Sequence, residues 1–317
     1  MRIDPAIAAL RADNGLQRLA QAVTTAAVEA WRARADVAAA LAQLDRFGAG
    51  APLEACPALE SLFDPGEAVA RAVDTFCRTM ADTLAGEPFG QVPLRHGFDG
   101  AASSLLLARR RRAHLILHAL EPGEYPFDGV TFTDGVRYDA ILAGDAEGRI
   151  VRRGGERFAI EPLALGSGWR LALDLSSETL QVTRVRRRLV TLRLHRNAAE
   201  PQPSEEHALE GRAPPRRSSG DIAASRREMM LAVLGRMGCA RAAPTMAAIA
   251  REPGEASLRW QALRESLALD TAEGFAALLA IARDGSDPLA APAASLRAQL
   301  IEAHPQLLAL EATPCRA

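Results

Sequence analysis

An α+β fold is predicted: N-terminal helices, a central antiparallel β-sandwich or small barrel, and a C-terminal α-α repeat region. Three observations predict it. Apolar residues recur at helical spacing through residue 85, and an apolar-polar alternation of period two takes over between Leu105 and Arg196. Helical spacing then returns after a segment rich in proline and charge, now with an internal repeat.

Composition bounds the chemistry before any motif is considered. With 317 residues, 48% of them hydrophobic, the chain can supply a core to each of two domains. Aromatic residues make up only 4%, so much of the core must be helices packed through small side chains. No lysine occurs and all 38 basic residues are arginine, which removes a lysine Schiff base and a P-loop lysine from the available mechanisms. A formal net charge of −1 gives no overall field toward nucleic acid or an acidic membrane. Cys56, Cys77, Cys239 and Cys315 form no C-x-x-C pair, as in a reducing compartment, and Cys77 and Cys239 read as core residues on apolar helical faces. The opening MRIDPAIAALRADNG has no signal-peptide core, and no uncharged apolar stretch long enough for a membrane span follows it. A cytoplasmic protein with no membrane partner is expected.

Residues 1–85 are expected to form a helical segment that packs on the β domain. Ile7, Leu10, Leu16, Leu19, Val23, Ala27 and Trp31 fall close to one helical face, with Asn14-Gly15 as a break. A further helix follows Asp64-Pro65, where the aspartate caps and the proline fills the first turn. Its apolar stripe is Val69, Val73, Phe76, Met80 and Leu84.

Residues 86–196 are expected to be the β domain, opening with a Gly- and Pro-rich loop to Gly100. Strands are placed at Ser104–Leu107, Arg112–Leu120, Arg137–Ala143, Arg149–Arg153, Trp169–Leu175, Leu180–Val185 and Leu189–Leu194. The connecting EPGEY, DAEGR, RRGGE, LGSG and LSSE segments have turn composition. Residues 197–221 read as a linker, within which a short extended piece can lie along the sheet.

Residues 222–317 carry the repeat. ASRREMM begins at Ala224, ASLRWQA at Ala256 and ASLRAQL at Ala294, and matching second helices begin at Pro244 and Gly274. These two-helix units resemble HEAT-type repeats, which implies an extended surface for protein binding. Only two full units and part of a third are present, so they are expected to pack against the β domain.

The candidates for chemistry lie on the strand AHLILHALEPGEY. His114 and His118 are four residues apart and so share a strand face, with Glu121 and Glu124 beyond them. Turn glycines Gly123 and Gly129 follow, and Gly155–Leu175 contains Pro162, Gly166 and Gly168. The stretch resembles the cupin superfamily of small β-barrels. That resemblance implies a barrel fold and a divalent metal held by His114, His118 and Glu121, and hence an oxygenase or isomerase. The sequence departs from the cupin pattern in two ways: the histidines stand four apart instead of two, and no histidine lies in the second motif. His195, on the last strand, is the remaining histidine able to approach the pair.

Arg184, Arg186, Arg187 and Arg188, with the Arg109–Arg112 run, offer a basic patch for phosphate or nucleic acid. Interleaved acidic residues favour instead a solvated sheet edge that resists aggregation. Ser103-Ser104 and Ser218-Ser219 lack a nucleophile elbow, Gly166-x-Gly168 is a turn, and Trp260 reads as repeat core. The reading is a cytoplasmic interaction or regulatory protein. Its cupin-like domain binds a small ligand or partner, its repeats bind protein, and the balance lies against an enzyme. A metal-dependent oxygenase or isomerase is the first alternative and a nucleic-acid-associated factor the second.

Overall fold

The computed structural model describes residues 13–64, 68–154, 158–209 and 214–311. Ile7, Leu10, Pro65, Gly155, Arg212 and Cys315 lie outside the described residues. The chain divides into two compact units, Met1–Arg217 and Ser218–Ala317.

The first unit begins with helices α1 (Gly15–Arg32), α2 (Ala35–Ala49), the single-turn α3 (Pro57–Glu60) and α4 (Ala68–Gly86). α1 buries Ala20, Thr24, Val28 and Trp31, while Leu16 and Leu19 stay 59% and 61% exposed. The expected stripe is therefore one position out over the first turns, because α1 packs on α4 through the 20-24-28-31 row. Trp31 fixes that contact: its indole N–H donates to the Ala72 carbonyl at 3.1 Å and its ring meets Phe76 edge-on, 5.0 Å between centroids. Val69, Val73, Phe76 and Met80 are buried as their spacing requires. Cys77 is exposed on the opposite face of α4, which corrects its reading as a core residue.

The main sheet is antiparallel in the order β1 (His96–Phe98), β2 (Ala102–Arg110), β3 (Ala113–Leu120), β9 (Glu178–Asn197), β6 (Gly135–Arg152), β7 (Ala159–Gly166). Off this path, β4 (Gly123–Glu124) pairs with β9 and β8 (Arg170–Asp174) pairs with β6. A smaller sheet joins β5 (Gly129–Phe132), β10 (Ser204–Ala208) and β11 (Arg216–Ser218). Part of the expected linker is thus a strand. Glu205 on β10 is held there by Arg153 at 2.9 Å and by Arg217 at 2.9 Å.

β6 and β9 are each one long strand where the sequence reading placed two strands and a turn. They pair from Gly135 opposite Asn197 to Arg152 opposite Glu178, with several register shifts between Ile141 and Gly148. Such bulges let a strand bend without ending. The turn-like DAEGR run is carried through the bend with its charges outward, Asp145 opposite Arg187 and Glu147 opposite Arg184.

Period-two alternation gives the sheet two different faces. Leu115 and Leu117 of β3, Leu192 and Leu194 of β9, and Tyr138 and Ala140 of β6 pack with Trp31, Leu44, Phe47 and Phe76 in one core. Arg196 locks α2 onto this face, donating to the Phe47 and Ala51 carbonyls at 3.0 and 2.6 Å while its guanidinium lies 4.3 Å above the Phe47 ring. The other face of the same strands carries His114, His118, Arg137, Asp139, Thr191, Arg193 and His195, with Ile141, Leu165, Val185 and Leu189 clustered beyond them.

The second unit contains α5 (Ile222–Arg236), α6 (Ala243–Arg251), α7 (Ala256–Leu269), α8 (Thr271–Arg283), α9 (Ala290–Ala303) and the short α10 (Leu308–Glu311). Each copy of the sequence repeat overlaps α5, α7 or α9, and the second helices are α6 and α8. Met246, Leu263, Phe275 and Leu278 form its buried core, with Trp260 packed against it. Arg259, almost wholly buried, donates to the Ala250 carbonyl at 3.0 Å and pairs with Asp287. Gly274 lets α8 approach α7, since a Cβ there would fall on the backbone of Leu267. Gly274→Ala is expected to cost about 1–3 kcal/mol through overpacking. Faster amide exchange in α7 and α8 would register it, and unchanged exchange would contradict the close approach.

Candidate functional site

The polar face is built by three neighbouring strands in register. Across β3, β9 and β6, His114 stands opposite His195 and His195 opposite Arg137; one step along, Ile116, Arg193 and Asp139 align; next come His118, Thr191 and Ile141. Directly opposed residues of an antiparallel pair share a face, so these side chains are neighbours by construction.

Asp139 is the centre of the group. It is 3% exposed and accepts from Arg193 Nε at 2.9 Å and Nη2 at 3.3 Å, with Arg137 Nη2 3.1 Å from the same oxygen, Oδ2, that Arg193 Nη2 reaches. Burial alone would raise its pKa, but the two guanidiniums and the Arg193 hydrogen bond outweigh that and hold it below the usual carboxylate value. Burial in turn lowers Arg137 to about 10 despite the opposing pull of Asp139. Two cations therefore face one anion in a partly dehydrated place.

The imidazoles respond to the same surroundings. Burial, followed by the positive charge of Arg193, brings His118 down to about 4. Burial, followed by His114, Arg137 and Arg193, brings His195 to about 4. His114 is also lowered, by burial and by Arg109 and Arg95, and its ring stacks on His195 with centroids 6.2 Å apart. His118 and His195 are neutral at pH 7, each with one N–H donor and one acceptor nitrogen.

A divalent metal does not fit this set. Glu121, the carboxylate of the expected triad, faces Arg188 at 3.0 Å. Among the described residues no group of three or more His, Cys, Asp or Glu side chains is placed to hold a metal ion. Arg137 and Arg193 occupy the same face as the histidines, and their charge opposes a dication in a low-dielectric setting. The structure thus brings His114, His118 and His195 onto one face and leaves Glu121 elsewhere. Sequence reasoning missed Arg137 and Asp139 and took Arg193 only as part of a basic face, although Arg-x-Asp and Arg-x-His on alternating strands were visible as charges at positions that must turn inward.

The basic patch is largely neutralised. Arg184 pairs with Glu124 at 2.5 Å, Arg186 with Glu147, and Arg188 with Glu121, while Arg187 has no such carboxylate among the described residues. These exposed pairs form a ladder that shields the sheet.

Space is distributed unequally between the two faces. Beside His118, Asp139, Thr191 and Arg193 there is a cavity of about 20 Å³, the room of a single water. On the apolar face, between the helices and the sheet, lies a cavity of about 290 Å³. Trp31, Val37, Leu41, Leu62, Leu115 and Leu192 supply its apolar lining, with Arg34, Asp36 and Arg71 as its charged side chains.

No known family model and no curated protein matches this sequence. Among solved structures it is similar to ectoine synthase from P. lautus, at 17% identity over 32% of this chain and 67% of that one, TM-score 0.24. A cupin superfamily protein from Desulfitobacterium hafniense DCB-2 is 15% identical over 32% of this chain and 83% of that one, TM-score 0.24. Vicilin from Capsicum annuum is 15% identical over 36% of this chain, TM-score 0.28, and the match spans only 33% of vicilin's own length. No activity passes from these proteins to this chain.

Proposed function

We propose that the β domain is a ligand-binding, regulatory module of cupin-like type whose ligand is a small apolar molecule, and that it is not a metal-dependent enzyme. The observation that carries this reading is the cavity of about 290 Å³ between the helices and the sheet. Its volume is at the lower end of the range for small-molecule sites, and its lining of aliphatic side chains with Trp31 matches their usual character. One water's share of liquid volume is about 30 Å³, close to that of a methylene, so the space suits about eight to ten carbon atoms. Arg34 already pairs with Asp36, 3.3 Å away, which leaves Arg71 as the guanidinium best able to meet an acidic end.

Calorimetric titration with octanol and with octanoate tests the assignment. Ala40, buried in the cavity wall, provides the control: Ala40→Phe fills the space. Saturable binding to the natural chain that falls at least tenfold in this variant is expected. Equal binding by both proteins, or binding by neither, removes the reading.

The helical unit would supply the protein-binding half of the same role. Met229, Met230 and Val233 on α5 and Met237 just beyond it are 62%, 57%, 55% and 72% exposed. Flexible thioethers on a helix adapt to differently shaped partners. A cytoplasmic setting belongs to the same proposal; among the described residues no helix is long and apolar enough to cross a membrane.

A further inference from the structure

The helical unit leaves one face of α5 unpartnered. The helix is packed from behind: Ala224 and Leu231 are 4% and 5% exposed, and Glu228, the acidic residue of α5, accepts from Ser257 of α7 at 2.6 Å. On the other side Arg226, Met230, Val233 and Met237 are all exposed, spaced four, three and four residues apart. That spacing is the seam of a helix-to-helix contact. Exposed Met229 and Arg236 flank the seam on one edge and exposed Arg227 on the other. Single apolar residues are ordinary on a surface, whereas these methionines and Val233 are neighbours on successive turns.

Charge gives the partner its chemical class. Arg184, Arg186 and Arg188 of the sheet all face carboxylates. Among the described residues none of Arg226, Arg227 and Arg236 is in a salt bridge. With Glu228 turned toward α7, the charged groups bordering the strip are all basic. Residues beside a seam meet the flanking residues of the opposing helix, so glutamate or aspartate there completes the contact. A second copy of the chain would set arginine against arginine. An acidic lipid surface calls for Trp, Phe or Leu on the inserted face, and the strip has none of these. Met and Arg, by contrast, are residue types enriched at protein interfaces.

We infer that α5 docks an amphipathic helix of a partner protein, with its apolar face along Met230, Val233 and Met237 and acidic residues on its flanks. This rests on the protein-binding role proposed for the helical unit and narrows it to one face and one charge. The thioethers fill the uneven spaces between the two helices, and Arg227 and Arg236 favour acidic partners over basic ones.

Two synthetic helical peptides of about three heptads, with the same leucine seam and either glutamate or lysine at the flanking positions, supply the test. Fluorescence anisotropy with the full-length protein reads the binding of each. Saturable binding of the glutamate peptide is expected, at least tenfold tighter than that of the lysine peptide and weaker as salt is added. Met230→Glu with Val233→Glu should lower it at least tenfold at an unchanged melting temperature, because both side chains are exposed. Undiminished binding by that variant would place the peptide elsewhere and overturn the inference. Arg227→Glu with Arg236→Glu should reverse the preference between the peptides. Equal binding of both peptides to the natural chain would overturn the acidic partner and leave the protein-binding role standing, whereas binding of neither would overturn both. Phosphatidylserine vesicles that sediment the natural chain but not the Met230→Glu, Val233→Glu variant would assign the face to a membrane. A dimer that this variant dissociates would assign it to a second copy, and either result would overturn the inference.

Discussion

Asp139→Asn is expected to be the most damaging single substitution in the β domain, costing about 3–5 kcal/mol of stability. Asp139 is 3% exposed, and the partly buried side chains of Arg137 and Arg193, 13% and 25% exposed, both pair with it. Removing its charge leaves two guanidiniums facing each other without compensation, a larger penalty than the loss of the hydrogen bonds themselves. Urea unfolding of the full chain, followed by tyrosine or tryptophan signals from the first unit, reads the change. A loss below about 1 kcal/mol would mean that water reaches the group freely and screens it. The companion triple variant Arg137→Met, Asp139→Leu, Arg193→Met separates charge balance from packing. It should recover most of the stability lost by the single variant, because replacing a whole buried ionic group by apolar side chains is often near neutral.

Acid should destabilise the same domain well above the range in which carboxylates titrate. His118 and His195 have folded-state values of about 4, against an ordinary value of 6.5. In the unfolded chain they take up protons as the pH falls through 6.5, whereas the folded protein excludes those protons until near 4. Their stabilising contribution is therefore complete above pH 6.5 and declines between 6.5 and 4. A tenfold difference in proton affinity between the folded and unfolded chain is worth about 1.4 kcal/mol, so with partial solvent screening the two histidines together should remove roughly 2–4 kcal/mol between pH 7 and pH 4.5. Asp139 does not act in this window: its lowered value places its loss at more acidic pH. Denaturant midpoints measured across the interval check the slope. His118→Asn with His195→Asn should flatten it, and a double variant as pH-sensitive as the natural chain would refute the assignment.

The order of helices, sheet and helices was legible because periodicity survives in a single sequence. Val69, Val73, Phe76 and Met80 are buried as their spacing requires, and Leu115 and Leu117 face the helices as alternation requires. The long strands β6 and β9 were not legible as single elements. DAEGR has the composition of a turn, and only pairing with Arg184 and Arg187 across the sheet makes its acidic residues strand material. For α1, spacing alone defined an apolar face but not which neighbouring row meets α4. The strand β5 was missed because its partner is distant in sequence, Val130 pairing opposite His207, whereas β7 pairs with the nearby β6, Ala159 opposite Arg152, and was missed because Pro162 interrupts its pattern.

The candidate site was half legible. Shared-face geometry put His114 and His118 together from spacing alone. The guanidiniums and carboxylate that decide what those imidazoles do come from β6 and β9, at separations that no local motif spans. Proximity of Arg137 to His195 and of Asp139 to Arg193 is a property of register. Register depends on the bulges, which leave no distinct signature in residue type.

The alternation of β3 and β9 has a consequence for signalling. Leu115 and Leu192 border the apolar cavity, while His114 and Arg193, their immediate sequence neighbours, point to the opposite side. The partition between the apolar cavity and the buried ionic group is thus one backbone thick. Thermodynamic linkage makes any coupling across it symmetrical: the factor by which an apolar ligand alters proton affinity at His118 and His195 is the factor by which protons there alter affinity for that ligand. Occupancy of the apolar cavity would then be read out as a change in the acid sensitivity of the β domain.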